Sequence, residues 1–338
     1  MQRHLSVSAH ENSTPMVAAA ASIVSTDIAK RVHAYIFGAV RGTKERIEVP
    51  SGHSFRLLSW PERLSEVYSY TAPGQCVRIP GEGSHWHFHL EMELTLITAG
   101  RGTRCVGDHV EGFEKGDLVL LGERLPHYWL SRGSSSGISI QWHFPQGHPF
   151  WGFPETIPLS QLFKKAARGI RITGDTRARI SRWMEELPNS KPPSQLGSLL
   201  LILAQAAEAP SKEVNLLSKK AFDLPLDGQH QEALSRVMIH IAANFRGDVP
   251  LEDLLVMTDM SRATFARQFK RYSGRTFSDF LNQLRLKSAC QELKESSHSI
   301  IDIAYASGFS QISFFNRLFQ RVMHCTPTQF RNREKNSA

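Results

Sequence analysis

Cysteine is scarce in this chain. Cys76, Cys105, Cys290 and Cys325 are scattered, with no CxxC pair, which excludes a small disulfide-framed domain and a cysteine-rich zinc finger. Free thiols in a reducing cytoplasm are the expectation. Long apolar runs are also missing: the longest, such as Leu199 to Ala204, fall well short of the ~20 residues that cross a bilayer. No membrane partner is expected. The N-terminal stretch lacks the basic start and unbroken apolar core of a secretory signal, and residues 1–31 read as a flexible tail.

What is present is enough material for several cores. The 338 residues are 41% hydrophobic and 21% charged, sufficient for two or three globular units. A net charge of +8 and a pI near 9.4 favour a polyanionic partner. The excess is denser at the end. From Gln229 onward there are 15 Lys and Arg against 10 Asp and Glu, whereas the longer remainder holds 25 against 22.

Periodicity divides the chain into three. Short β-rich runs (Phe55 to Trp60, Val67 to Tyr70, His85 to Thr98, Gly116 to Leu121, Ile138 to Phe144) are punctuated by Gly, Pro and Ser, the pattern of an all-β barrel or sandwich over residues 32–150. From Glu155 the period becomes helical through "LSQLFKKAARGI", "ARISRWMEEL" and "LGSLLLILAQAAEA", followed by a linker-like "APSKEVNLLSKKAFDLPLDGQ". Residues 151–228 therefore read as a helical linker region and the natural place for dimerisation, although packing on the barrel explains the same amphipathic stripe. Residues 229–334 are helical again. The expected fold class is α+β and multidomain, with a β-barrel, a helical linker and an all-α C-terminal part.

The C-terminal part repeats itself. At an offset of 50, Phe265 falls over Phe315, Arg267 over Arg317, Phe269 over Phe319, Arg271 over Arg321, Thr276 over Thr326 and Phe280 over Phe330. Upstream the offset is 49, with Leu251 over Ile300, Asp253 over Asp302, Leu254 over Ile303 and Met260 over Phe309. Ten matches at two adjacent offsets indicate a duplicated helix-turn-helix unit. In the second copy Ser299 is an N-cap with Asp302 three residues on, and Gly308 supplies the left-handed turn residue. Phe315, Leu318, Phe319 and Val322 form one apolar stripe. Ser313, Arg317 and Gln320 project from the other side, where Arg suits bidentate contact with guanine. The first copy is rougher. Asp259 takes the turn position, Ser261 caps the next helix, and Ala263, Ala266, Arg267 and Lys270 are its outward residues. A lone Arg of this kind would be read as a solvated helix face; the duplicated setting favours nucleic acid.

Over roughly His230 to Arg333, "IAYASGFSQISFFNRLFQ", the Thr326-Pro327 pair and the closing "QFR" resemble the AraC/XylS family of bacterial transcription regulators. The resemblance implies two helix-turn-helix subdomains joined by a long helix, here about Thr276 to Glu295, with recognition helices in successive major grooves. It carries base contact to Ala263, Ala266 and Arg267 in the first unit and to Ile312, Ser313 and Arg317 in the second. Ile312 could only press on a thymine methyl. One departure is His324, where the family usually has Gly.

A second constellation lies in "GEGSHWHFHLEMELTLITAG". As one strand it would place His85, His87, His89, Glu91 and Glu93 on one face and Trp86, Phe88, Leu90, Met92, Leu94 and Leu96 on the other. Water exposure is the ordinary explanation of such a polar face, and a barrel interior is the sharper one. The spacing Gly81-x5-His87-x-His89-x3-Glu93-x6-Gly100 resembles the first motif of the cupin family, and Gly116-x5-Gly122-x-Arg124-x2-His127-x3-Ser131 is an eroded second motif. In metal-binding cupins the positions matching His87, His89, Glu93 and His127 hold a divalent ion in an N/O set suited to Fe, Mn, Ni or Zn. In regulators with this architecture the barrel mostly serves as a small-molecule pocket, which makes His85, His87, His89, Glu93 and His127 the candidate effector residues. Trp86, Trp129 and Trp142 are candidate stacking residues, with core packing as the alternative for each.

The reading is a sequence-specific DNA-binding transcription regulator, by resemblance an activator and not an enzyme, with no obligatory cofactor. Its expected partners are double-stranded promoter DNA, a small-molecule effector such as a sugar or related carbon source, RNA polymerase, and a second copy as homodimer. Rival readings are a metal-dependent cupin enzyme, an isomerase or dioxygenase, with a DNA-binding tail, and a regulator for which the metal itself is the signal.

Overall fold

The computed structural model describes residues 47–80, 85–222, 224 and 230–336. The expected tail 1–31, the start of the barrel region and Gly81 of the first cupin-like motif lie outside them. The strand-like text folds as two antiparallel sheets. Its strands are β1 (Arg56–Trp60), β2 (Glu66–Ala72), β3 (Gln75–Pro80), β4 (Met92–Ala99), β5 (Gly102–Val106), β6 (His109–Phe113), β7 (Leu118–Leu121), β8 (His127–Ser131) and β9 (Ser136–Trp142). Two short strands follow, β10 (Ile170–Ile172) and β11 (Val214–Leu216). The larger sheet runs β11-β10-β7-β4-β9-β1-β2-β3 and the smaller β6-β5-β8.

Strands β10 and β11 correct the sequence reading, which placed them in a helix and a linker. Ile170 pairs with Leu120 on one side and Leu216 on the other, and Ile170 and Ile172 are both buried; two β-branched residues flanking one Arg fit a sheet better than another helical turn.

The expected single strand from His85 to Thr98 is also corrected. The chain bends at Leu90 and Glu91, and β4 begins only at Met92. Upstream of the bend His87 forms an isolated bridge to His127. The apolar set is therefore split. Met92, Leu94 and Leu96 turn to the outer face of the larger sheet, where they join Leu118, Leu120 and Ile140 beneath helices α1 (Leu159–Ala166), α2 (Gly174–Glu186) and α3 (Pro192–Ala207). Trp86 and Phe88 enter a different core, with Ile97, Val119 and Leu121. Trp142 packs under the helices, 6.2 Å from Phe163, so core packing holds for it and not stacking on a ligand.

The C-terminal part consists of α4 (Gln231–Asn244), α5 (Leu251–Thr258), α6 (Arg262–Ser273), α7 (Phe277–Glu295), α8 (Ile300–Ala306), α9 (Ile312–Met323) and α10 (Pro327–Lys335). The caps expected from sequence are formed: the Ser299 hydroxyl accepts from the Asp302 amide at 3.1 Å, and that of Ser261 from the Thr264 amide at 3.3 Å. Gly308 sits at φ +94, and a Cβ there would lie 2.6 Å from the Phe245 carbonyl oxygen; the turn needs glycine both for its backbone angle and for close approach to the end of α4. Asp259 takes the equivalent left-handed conformation at φ 52, which Asp tolerates better than most side chains. His324 closes α9 at φ 55, where the first unit has Gly274 at φ 75, so the departure from the family residue leaves the cap geometry intact.

The second helix-turn-helix unit has its own core, built on Phe309, Phe315, Leu318, Phe319 and Phe330. The first does not. Phe265, Phe269, Tyr272 and Phe280 belong to the same apolar cluster as Trp86, Phe88 and the barrel residues Val119 and Leu121. Polar contacts run along this seam. Lys287 Nζ meets Glu111 at 2.8 Å, Arg132 meets Glu292 at 2.6 Å and Glu295 at 3.3 Å, and the Arg275 guanidinium donates to the Asp108 carbonyl.

His109 lies at the seam among Arg104, Glu111, Lys287 and Arg275. Burial, and next the Arg104 charge, push its imidazole down to about 4. Above its ordinary value near 6.5 the ring is neutral whether folded or unfolded, and its contribution to stability is fully present. Between there and about 4 the unfolded chain takes up a proton that the folded chain refuses, so stability is lost as pH falls. The melting temperature should decline between roughly pH 6.5 and pH 4.5, and decline less in His109→Gln. An identical slope in that variant would remove His109 as the cause.

Candidate functional site

Two sites emerge. The first is the pair of reading helices. In α9, Phe315 and Phe319 are fully buried and Leu318 nearly so, seating the helix against α7, α8 and α10. Val322 is partly buried against the same core. With that stripe fixed, Ser313, Arg317 and Gln320 face water. Ile312 is half-buried and packs on the second unit's core, which leaves only part of its side chain for a base. In α6, Phe265 and Phe269 are buried, while Ala263, Ala266, Arg267 and Lys270 are exposed. Arg262, beside them, is held by Glu252 at 2.7 Å. The sequence reading missed Asn316. It is exposed on α9 three residues after Ser313 and four before Gln320, on the same side of the helix, with an amide able to bond bidentately to adenine. That spacing was the signal available.

The second site lies at the bend before β4. His87, His89 and His127 bring one ring nitrogen each to within 4.8 Å of one another, and all three are buried. Glu93 joins them from β4, its Oε2 3.1 Å from His89 Nε2 and 3.8 Å from His127 Nε2. The Gln141 amide donates to the same oxygen at 2.9 Å, and the Thr95 hydroxyl donates to the other. His85 is not brought into this group; it is half-buried, with its ring 5.7 Å from that of His87. Burial, then the His87 charge, lower its pKa to about 4.

Proton bookkeeping makes the cluster unusual. Nδ1 of His87 faces the His85 carbonyl at 2.7 Å, that of His89 the Glu91 carbonyl at 3.0 Å, and that of His127 the Leu125 carbonyl at 2.8 Å. A carbonyl only accepts, so each Nδ1 carries the hydrogen, and the Nε2 atoms of His89 and His127 face Glu93. Such backbone anchoring is how metal-ligating imidazoles are oriented. His127 Nε2 is buried with no hydrogen-bond partner among the described residues, and burial followed by the His87 charge keeps His127 neutral, well below its usual value. Burial, the largest influence, would by itself raise the Glu93 carboxyl; the opposing influences, led by the His89 hydrogen bond and including that of Gln141, outweigh it and hold the group below the usual carboxylate range. A lone pair on His89 thus faces a carboxylate at 3.1 Å, a contact that calls for a positive charge, either a second proton on His89 or a cation. Among the described residues the three imidazoles form a group with the spacing and chemistry to hold a divalent ion, and Glu93 lies beside His89 and His127 without completing that group. The neighbouring Trp129 ring lies 5.8 Å from that of His127.

Comparison with known proteins bears on the first site. A helix-turn-helix domain model matches residues 254–333. The HTH-type transcriptional activator RhaS of Salmonella schwarzengrund is 34% identical over 262 residues, covering 75% of this chain and 90% of that protein. Among solved structures, a transcriptional regulator with an AraC-type DNA-binding domain from Chromobacterium violaceum is 30% identical over 31% of this chain and 93% of its own, with a TM-score of 0.29. ToxT from Vibrio cholerae O395 is 12% identical over 83% of this chain and 99% of its own, with a TM-score of 0.32. At these TM-scores the family assignment rests on sequence. With a full-length relative at that identity and a duplicated helix-turn-helix built as described, the chain belongs to the AraC/XylS family of DNA-binding transcription regulators.

Proposed function

We propose that the protein is an effector-responsive transcription activator that binds double-stranded promoter DNA through α6 and α9 and takes its signal at His87, His89, Glu93 and His127. One observation carries the DNA half: Phe265 and Phe269 in α6, and Phe315 and Phe319 in α9, are buried, while Ala263, Ala266, Arg267 and Lys270 in the first helix and Ser313, Arg317 and Gln320 in the second are exposed. Activation is supported by the relative's description as an activator. The effector class that suits the cluster is a small polyhydroxylated molecule, such as a sugar, for which the imidazoles and the carboxylate supply acceptors.

A second reading, that a divalent ion sits at the cluster, is favoured by the convergence of one ring nitrogen each from His87, His89 and His127 within 4.8 Å and by the buried His127 Nε2, which has no hydrogen-bond partner among the described residues. His87, His89 and His127 would hold it beside Glu93, and it would supply the positive charge that the His89–Glu93 contact requires. Metal as the signal and metal as a support for an effector are both compatible with these residues.

Homodimerisation through α3 is supported by Leu196, Leu200 and Leu201, which are 43%, 40% and 53% exposed on one helix; buried against a second copy they would form an apolar contact. RNA polymerase completes the set of partners, and the cytoplasm is where promoter DNA would be met.

The test is a promoter-reporter strain grown with a panel of sugars and of divalent ions. One addition should induce the reporter about tenfold, and His89→Ala, expressed at the same level, should lose that response. A normal response in the variant places the effector pocket elsewhere.

A further inference from the structure

The segment that carries His87 and His89 has a second face. Successive residues of an extended segment point to opposite sides; here the odd ones enter the cluster, and Trp86 and Phe88 leave it. Neither reaches solvent, at 1% and 0% exposure. The Trp86 ring meets Phe280 edge-on at 5.6 Å and Tyr272 at 6.2 Å, and Phe88 meets Tyr272 at 6.5 Å. Tyr272 lies in α6, the reading helix of the first unit, and Phe280 lies in the first turn of α7, which joins the two units. A polar tie accompanies the rings, since the Ser235 hydroxyl of α4 donates to the Trp86 carbonyl at 3.3 Å.

We infer that residues 86–88 are a lever: occupancy of the His87–His89–His127 cluster is transmitted through Trp86 and Phe88 to Tyr272 and Phe280, and so to the placement of the first reading helix. The inference rests on the reading that this cluster holds a ligand.

Three observations give the lever its direction of force. The segment is fixed on the barrel side by a reciprocal pair of backbone hydrogen bonds between His87 and His127, at 3.2 and 2.9 Å, so that movement of either ring moves the strand. The bend at Leu90 and Glu91 separates it from β4, which frees it to shift without shearing the larger sheet. On the far side it meets a close-packed aromatic group, and tightly packed rings pass displacement on instead of absorbing it. The first unit shares its core with the barrel, whereas the second is centred on a separate one. A shift at Trp86 therefore changes the first reading helix relative to the second. Binding through two successive grooves needs both in register.

The experiment uses the purified full-length chain, zinc ion as the probe and a promoter duplex to which the chain binds. Calorimetry measures zinc binding, anisotropy measures duplex affinity with and without zinc, and hydrogen exchange is followed over α6 and α7. In the unaltered protein zinc should bind, should change the duplex Kd by about fivefold or more, and should slow exchange around Tyr272 and Phe280. In Trp86→Leu and, from the other side of the contact, Phe280→Leu, both of which retain an apolar side chain, zinc should bind within about threefold of the unaltered protein while the change in Kd falls below about twofold. Should either variant fail to melt cooperatively, the exchange measurement on the unaltered protein decides. Zinc binding with no change in duplex affinity or exchange overturns the lever and leaves the site standing. A full zinc response retained in both variants overturns the lever in the same way. No zinc binding, or binding that survives His89→Ala, removes the divalent-ion reading of the cluster, and overturns the lever as driven by an ion there; the sugar reading is judged separately by the reporter strain.

Discussion

Arg317→Ala should weaken binding to the specific promoter site by about 1–3 kcal/mol, roughly 5- to 150-fold, with a much smaller loss on random duplex. The reasoning starts from packing. Phe315 and Phe319 have no exposed surface, so the rotation of α9 about its axis is fixed, and Arg317, between them in sequence, is held on the outward face. A guanidinium so placed can bond both O6 and N7 of guanine, and alanine leaves those acceptors unpaired. Salt separates this role from the alternative. If Arg317 only neutralises a phosphate, the variant should lose affinity equally on all sequences and the salt dependence should become shallower by about one counterion. Anisotropy titrations of specific and random duplexes at several salt concentrations make the distinction.

Phe319→Ala should be the more damaging change. The side chain is fully buried, 5.5 Å from the Phe315 ring and 5.6 Å from that of Phe330, and it ties α9 to α10. Truncation of a buried Phe costs about 3–5 kcal/mol in lost transfer energy and residual cavity. The second unit centres on its own small cluster, and a loss of that size approaches the whole stability of so small a core. Its helices should therefore exchange their amides rapidly while the barrel remains protected. Specific DNA binding should be lost, because the surviving first unit presents only one reading helix. Phe269→Ala offers the contrast. Its residue belongs to the cluster shared with the barrel, so the damage should spread to exchange around Trp86. Confinement of both effects to their own units would contradict the shared core.

Legibility in the sequence followed the range of the interactions. The duplicated unit was readable because its caps, turn glycine and apolar stripe are all set within one helix-turn-helix: Ser299 caps, Gly308 turns and Phe315 and Phe319 pack as expected. The cluster of His87, His89, Glu93 and His127 was reached by a motif resemblance, and three of its members depend on a bend that strand periodicity alone does not show. Alternation indicated that Trp86 and Phe88 face away from His87, yet it could not name what they face, since Tyr272 and Phe280 are nearly 200 residues further along the chain. Strands β10 and β11 are three residues each, too short for any period to register, and take their conformation from the edge of β7. Asn316 was missed for a different reason: the reading face was drawn around Arg317 and Gln320 and made narrower than the exposed arc of α9.

The central claim is that two reading helices of one chain enter successive major grooves. Hydroxyl-radical and methylation footprinting on a bound promoter duplex tests it most directly. Two protected major-groove segments about 10 base pairs apart for each bound chain are expected, with one of them lost in Arg317→Ala. A single protected segment in the unaltered protein, or none on any duplex from its own genomic neighbourhood, would contradict it.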